Sequence, residues 1–397
     1  MSLELPLAKR MSRMQRSTIR EILKITARKD IISFAGGLPA PELFPLETFE
    51  KSLLKAMQTQ GANTLQYSVT EGLPNLKEWM CAWMNRQGLP CQTNEMMFTN
   101  GSQQALDLIG KIFLDPNDTV IVENPSYLGA IQAFNVYQPR FTTIPMDAQG
   151  INPIALEKAL QKKKPKFIYL VPTFQNPSGV TLSIERRIEI LRIAKKHHVL
   201  IIEDDPYSAI RFKGQPVPSM YALAKGKRVV YLSTFSKILS PGIRLGWVLG
   251  SEALIHSLVL AKQAADLQPN TLIQYAVYEY CRSGHLESHI PIIQKAYEKR
   301  ADCMLDAMNR YFPKEVSWLT PEGGMFVWCT LPEKLSATAL FPKAIAQNVA
   351  YVTGAVFHPN GGGDNTLRLN FTNSSEKQIE EGIRRLGSVF KSAVEGL

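Results

Sequence analysis

Between residues 95 and 250 the chain alternates short runs of β-branched apolar residues with longer stretches of helical spacing. No other feature restricts its fold as strongly. Residues 96–99, 119–123, 167–171, 199–203 and 229–233 read as strands that are apolar almost without a break. Residues 103–114, a stretch beginning at Tyr127, and residues 184–196 have helical periodicity instead. A strand that is apolar on both faces must be covered on both faces, and intervening helices supply that cover. The pattern predicts an α/β fold with a parallel or mostly parallel sheet, to which residues 244–250 (RLGWVLG) can add a strand. After about residue 285 the texture becomes α+β and predicts a second, smaller domain. It has a long helix over 290–310, the segment Gly323-Gly324-Met325-Phe326-Val327-Trp328, a helix near 337–347, strands near Val349 and Leu367, and a final helix from Ser375.

Composition removes several function classes. In 397 residues the chain is 45% hydrophobic, which is incompatible with global disorder. No run approaches the roughly 20 uncharged apolar residues that cross a bilayer, so no membrane association is expected. The opening MSLELPLAKRMSRMQRS lacks an apolar core followed by a small-residue cleavage site. Cys81, Cys91, Cys281, Cys303 and Cys329 form no C-x-x-C pair and read as scattered free thiols of a reducing compartment, the cytoplasm. Half of the net charge of +10 sits in residues 1–30, where eight Lys/Arg face three Asp/Glu. Residues 17–26 place Ile19, Ile22, Leu23 and Ile25 near one helical stripe. This reads as an amphipathic arm expected to pack on the body, with a transit peptide or a tail for nucleic acid as the alternatives. No nucleic-acid partner and no metal are expected.

Ligands of open α/β sheets bind outside the carboxyl ends of the strands. Five successive predicted strand ends carry polar residues: Gly101-Ser102-Gln103, Asn124-Pro125-Ser126-Tyr127, Asn176-Pro177-Ser178-Gly179, Asp204-Asp205-Pro206-Tyr207 and Thr234-Phe235-Ser236-Lys237. A lysine in the position of Lys237 is a Schiff-base nucleophile, a phosphate ligand or a surface residue. Thr234, Ser236 and Arg244 supply the two hydroxyls and planar cation that suit a phosphate monoester. Gly101-Ser102-Gln103 opens a helix and is either an ordinary cap or an anion site. A carboxylate at the rim of a buried sheet is costly unless paired, and the protonated ring nitrogen of pyridoxal phosphate is a fitting partner for Asp204. Asp205 is the alternative; neighbouring strand residues point opposite ways, so one of the two faces the ligand. Tyr207 and Asn176 can reach the phenolic oxygen of such a cofactor, although Asn176-Pro177-Ser178-Gly179 also reads as a plain turn. Tyr127 can stack on a flat ring or simply belong to the core.

The motifs STIREILKITARKDIISFAGGLPAPELFP, LQYSVTEG, TNGSQQALDLIGKIFL, PTFQNPSG, IIEDDPY, TFSKILSPGIRLGW, PEGGMFVW and TLRLNFT follow one another over essentially the whole chain. In that order they resemble the fold-type I pyridoxal-phosphate aminotransferases, in the branch containing 2-aminoadipate (LysN-type) and kynurenine aminotransferases. The resemblance implies a large cofactor-binding domain over 46–288 with a seven-stranded, mostly parallel sheet. It implies a small α+β domain over 289–397, and an arm over 1–45 that joins the small domain. By the same resemblance Lys237 is the imine lysine and Asp204 the ring-nitrogen partner. Tyr207 and Asn176 hold the phenolic oxygen, and Tyr127 stacks on the ring. Ser102, Gln103, Thr234, Ser236 and Arg244 bind the phosphate. Tyr67 reaches the phosphate of the other subunit, which implies a homodimer with shared sites. Arg368, in LRLNF, takes the substrate α-carboxylate, and Asn176 also contacts the substrate; Arg20 reads a distal carboxylate, and Gly37 and Leu38 border that pocket. Thr234 replaces a more usual Ser, and Ser178 a frequent Thr, each keeping its hydroxyl. Residues 265–270 vary among relatives and leave specificity open.

The implied reaction is ping-pong transfer of the α-amino group from 2-aminoadipate, leucine or an aromatic-type amino acid to 2-oxoglutarate. Other chemistry on the same cofactor, elimination or decarboxylation, is the nearest alternative, since fold does not settle reaction type. A cofactor-binding transcription regulator is the other. Only about 30 residues precede ISFAGGLP, fewer than a DNA-binding domain needs.

Overall fold

The computed structural model describes residues 6–14 and 30–397. The arm helix expected over 17–26, and Arg20 with it, lies outside the described residues. A two-residue strand β1 (Ile32–Ser33) precedes β2 (Met96–Thr99), β3 (Thr119–Asn124), β4 (Arg140–Asp147), β5 (Gly150–Ile151), β6 (Phe167–Leu170), β7 (Leu200–Asp204), β8 (Val229–Thr234) and β9 (Gly246–Leu249). Strands β2 to β9 form one sheet in the order β2-β9-β8-β7-β6-β3-β4-β5. The neighbours from β8 to β4 are parallel. Strand β9, the RLGWVLG segment, runs antiparallel to both of its neighbours. The sheet is thus the expected mostly parallel one; its eighth member, β5, is a two-residue return on β4.

Every residue of β2, β6, β8 and β9 is buried, as strands covered on both faces require. The covering helices have a simple local cause. Helix Ser102–Phe113 buries Ala105, Leu106, Leu108 and Ile109 along one stripe. Helix Ile184–Lys196 starts where the Ser183 side chain accepts the Arg186 backbone N–H, and it buries Ile190, Ile193 and Ala194.

A 27-residue helix, His285–Tyr311, runs across the boundary expected at residue 289 and leads into the second layer. That layer contains β10 (Ser317–Trp318), β11 (Phe326–Thr330), β12 (Val349–Ala350), β13 (Val352–Thr353) and β14 (Thr366–Asn370). Four of these strands form an antiparallel sheet of order β10-β11-β14-β13, and the closing helix Glu376–Glu395, whose cap Ser375 forms a reciprocal box with Gln378, packs along helix His285–Tyr311. Strand β12 pairs in parallel with β1, which fastens the segment after residue 30 to the C-terminal layer. Arg368 lies mid-strand in β14, opposite Trp328 on one side and Val352 on the other. All five cysteines are free thiols. Among the described residues no helix is long and apolar enough to cross a membrane, and no group of His, Cys, Asp and Glu is arranged to hold a metal.

Candidate active site

Outside the carboxyl ends of the parallel strands lies a cavity of about 700 Å³. Its walls bring together residues that are hundreds of positions apart in the chain. Ser102, Gln103, Tyr127, Asn176, Asp204, Tyr207, Thr234, Ser236, Lys237 and Arg244 come from the strand ends; Gly37 and Leu38 come from the segment after β1, and Arg368 from β14. Of the residues expected at the site, Tyr67 is the described one that does not line this cavity.

One end of the cavity is built for an anion. Gly101, with φ of 74°, turns the chain from β2 into helix Ser102–Phe113, so the first free N–H groups of a twelve-residue helix open there. Arg244 has a left-handed backbone (φ 51°, ψ 48°), and its guanidinium donates to the Asn100 carbonyl at 3.3 Å. The Thr234 hydroxyl lies 2.9 Å from Ser236 Oγ. The space between these groups exists because two glycines leave it. A Cβ on Gly101 would stand 2.7 Å from Arg244 Nη2, and one on Gly246 would stand 2.8–2.9 Å from Ser233 O and the Gly101–Ser102 backbone.

The opposite end holds a carboxylate. Asp204 is 2% exposed and accepts one hydrogen bond, from the Tyr169 hydroxyl at 2.7 Å. Its other oxygen, Oδ1, has no partner among the described residues. Burial, with Asp205 adding to it and the Tyr169 hydrogen bond opposing, raises its pKa to about 7. Asp205 points away: it accepts from Ser208 N at 2.9 Å and Tyr231 Oη at 3.1 Å, and lines a different cavity. Of the two, Asp204 is the one that lines this cavity. Tyr127 is held in place over Gly129, where a Cβ would stand 2.5 Å from the phenol, and burial pushes its pKa up to about 12.

Asn176 sits in a turn that Gln175 locks. Ser178 donates its N–H and its hydroxyl to Gln175 Oε1 at 2.8 and 2.6 Å, and Gln175 Nε2 donates to the Pro125 carbonyl at 2.8 Å. The turn is therefore more than a chain reversal. It aims the Asn176 amide at the Tyr207 hydroxyl, 3.5 Å away, while Asn176 Oδ1 accepts from Arg368 Nη1 at 2.7 Å.

Arg368 is 1% exposed. Its guanidinium carbon lies over the rings of Phe326 and Phe357, 4.2 and 5.1 Å from their centroids, and Nη2 donates to Ala35 O at 2.7 Å. Its Nε–H has no acceptor among the described residues. Lys237 stands just beyond the end of β8, and its amine donates to Gly37 O at 2.9 Å. Burial, then the charges of Arg368 and Arg244, lower that amine to about 8.

The family model for "Aminotransferase class I and II" matches residues 41–386. The chain belongs to the class I and II aminotransferases. An aromatic-amino-acid aminotransferase of Thermococcus litoralis is 45% identical over 95% of this chain and 92% of its own length. A 2-aminoadipate transaminase of Thermus thermophilus is 44% identical over 96% of this chain and 95% of its own. The solved structure of LysN, the α-aminoadipate aminotransferase of Thermus thermophilus, complexed with N-(5'-phosphopyridoxyl)-L-leucine, superposes with a TM-score of 0.92. It is 42% identical and is matched over 98% of both chains.

This aminotransferase therefore uses pyridoxal 5'-phosphate and transfers amino groups between amino acids and 2-oxo acids. Its donor set fits the cofactor. An unpartnered buried acceptor, Asp204 Oδ1, suits a ring N–H, and an unpartnered buried donor, Arg368 Nε, suits a carboxylate. Three contributors carried no signal in the sequence. Tyr169 reads as one more core aromatic of an apolar strand, Gln175 as a loop residue, and the contact of Arg368 with Phe326 and Phe357 depends on strand pairing across the second layer.

Gly246→Ala is expected to lose about 1–3 kcal/mol of stability and to retain less cofactor, because the atoms it meets are backbone and cannot yield. Thermal denaturation and the visible absorption of the purified variant measure both.

Proposed function

We propose that this aminotransferase is a broad-specificity cytoplasmic enzyme. It carries the α-amino group of 2-aminoadipate, leucine or an aromatic-type amino acid to 2-oxoglutarate by a ping-pong route. The observation that carries the reading is the pair of unpartnered buried atoms on Asp204 and Arg368, in one cavity with a lysine amine lowered to about 8. The names of the Thermococcus litoralis and Thermus thermophilus relatives support the donor range.

When bound, pyridoxal phosphate supplies the carbon to which the amino group bonds and a ring that takes up electrons released at Cα. The residues of the chain do the rest. The helix start at Ser102 and Gln103, the hydroxyls of Thr234 and Ser236, and Arg244 hold the phosphate. Asp204 holds a proton on the ring nitrogen, Tyr127 covers a ring face, and Asn176 and Tyr207 hold the phenolic oxygen. Arg368 takes the α-carboxylate with its planar fork and so fixes the direction of the Cα–H bond. Lys237 accepts that proton and returns it, as an amine with a pKa near 8 is suited to do at neutral pH.

Tyr67 supports a homodimer with shared sites. It is 78% exposed, away from the cavity of its own chain, in a surface recess with Gln268 and Asn270. A solvent-facing tyrosine placed in this way is available to the phosphate site of a second subunit.

Arg368 and Arg244 are the arginines lining the cavity among the described residues. A distal substrate carboxylate is assigned to Arg20, outside the described residues, on the resemblance of its STIR motif alone. Arg20→Ala is expected to lower kcat/KM for 2-aminoadipate and glutamate by about tenfold and to leave leucine nearly unchanged. A donor panel with 2-oxoglutarate, followed by the absorption change of the cofactor, tests this together with the main reading. Ammonia or CO2 in place of glutamate would overturn the transamination, and equal losses on all donors would remove Arg20 from the reading.

A further inference from the structure

We infer that Tyr169 is a positioning residue for the proton on the cofactor's ring nitrogen: its hydroxyl holds one oxygen of Asp204 and leaves the other to the ring. This rests on the reading of Asp204 as the ring-nitrogen partner. Tyr169 belongs to β6, which runs parallel to β7, and it lies in register with Ile202, two residues before Asp204. Its O–H donates to Asp204 Oδ2 at 2.7 Å, both side chains are buried, and Oδ1 is left without a partner among the described residues. The tyrosine ring is itself fixed in the core, edge-on to Phe134 with centroids 5.7 Å apart.

A buried carboxylate with no donor can exchange its two oxygens by rotation, and so present either to a ligand. One immobile donor removes that freedom, because turning the carboxylate would break its hydrogen bond. The same hydroxyl weakens Asp204 as a base. The ionisable groups about Asp204 are Glu123 at the end of β3, Tyr127, Tyr169, Asp205 and Tyr207. Burial and the neighbouring Asp205 favour the neutral acid, and Tyr169 supplies the hydrogen bond that favours the carboxylate. A weaker base at Asp204 leaves the proton on the ring nitrogen.

The test compares Tyr169→Phe with Tyr231→Phe. Tyr231 is the control: it is a buried phenol that donates to the adjacent Asp205 at 3.1 Å, outside the cofactor cavity. Loss of the Tyr169 hydroxyl makes Asp204 more basic, so the ring carries less positive charge. The cofactor's other titrating nitrogen then keeps its proton to higher pH. In the holoprotein the pH midpoint of the visible absorption change is expected to move up by about one unit. The pyridoxal-phosphate dissociation constant of the apoprotein is expected to rise roughly tenfold, and kcat to fall roughly tenfold with donor KM nearly unchanged.

Tyr231→Phe leaves all of these in place. Site-specific 3,5-difluorotyrosine at 169 keeps the ring and strengthens the donor, and is expected to move the midpoint down, whether or not Tyr169→Phe folds. An unmoved midpoint in Tyr169→Phe and in the fluorinated protein, or an equal shift in Tyr231→Phe, overturns the inference. Asp204→Ala separates the two levels. If it keeps the wild-type midpoint and affinity, the reading of Asp204 fails. If it loses both while the Tyr169 variants behave as wild type, Tyr169 alone is rejected.

Discussion

Lys237→Ala is expected to lower kcat for glutamate formation from 2-oxoglutarate by about 10⁴-fold or more, while the protein still binds cofactor. The two effects separate because different residues cause them. The anion end of the cavity, with Arg244 on the Asn100 carbonyl and the open helix start at Ser102, does not depend on the lysine. Neither does Asp204, which is held by Tyr169. What disappears is the one lysine amine that lines the cavity among the described residues, and with it the group proposed to take and return the Cα proton. The same amine sets a pH dependence in the wild type. Its pKa is lowered to about 8, so a greater share is neutral and nucleophilic at pH 7 than for an exposed lysine. The rate of cofactor capture by the apoprotein is expected to rise through about pH 8 and then level, and to fall about tenfold per unit below it. Stopped-flow mixing of apoprotein and cofactor measures that profile, and a flat profile between about pH 6 and 9 would remove the buried amine from the reading.

Arg368→Lys is expected to lower kcat/KM by about 10²–10³-fold for donor and acceptor alike. The guanidinium lies over the rings of Phe326 and Phe357, is anchored at two corners by Asn176 and Ala35, and keeps Nε free among the described residues. A lysine brings one compact charge to the same space. It cannot hold Asn176, Ala35 and a substrate carboxylate at once in the geometry of a planar fork. In the proposed role Arg368 serves both half-reactions, so amino acids and 2-oxo acids are expected to lose together. Steady-state kinetics with leucine and 2-oxoglutarate check this; a loss confined to one of the two would mean that Arg368 serves one substrate and not the α-carboxylate they share.

Much of the large sheet was legible in the sequence because strands buried on both faces leave continuous apolar runs, as in Val229–Thr234 and Phe167–Leu170. Strand β4 was not. Its sequence RFTTIPMD contains a proline and charges, and the strand is mostly half-exposed, near the edge beside the two-residue β5. The strand ends gave most of the cavity lining, since the ends of a parallel sheet gather Lys237, Asp204, Asn176 and Tyr127 around one space. The identity of the inward carboxylate was not available from sequence, because Asp204 and Asp205 are chemically equal until β7 gives each a direction. Tyr169 stayed hidden for the opposite reason: a tyrosine within an apolar strand looks like packing, and only the register of β6 with β7 shows what its hydroxyl meets.

Borohydride reduction of the holoprotein followed by peptide mapping tests the central claim most directly. The expected result is a yellow protein whose visible band disappears on reduction, with one pyridoxyl group covalently fixed to the peptide containing Thr234-Phe235-Ser236-Lys237. A colourless holoprotein, or a pyridoxyl group on any other lysine, would contradict it.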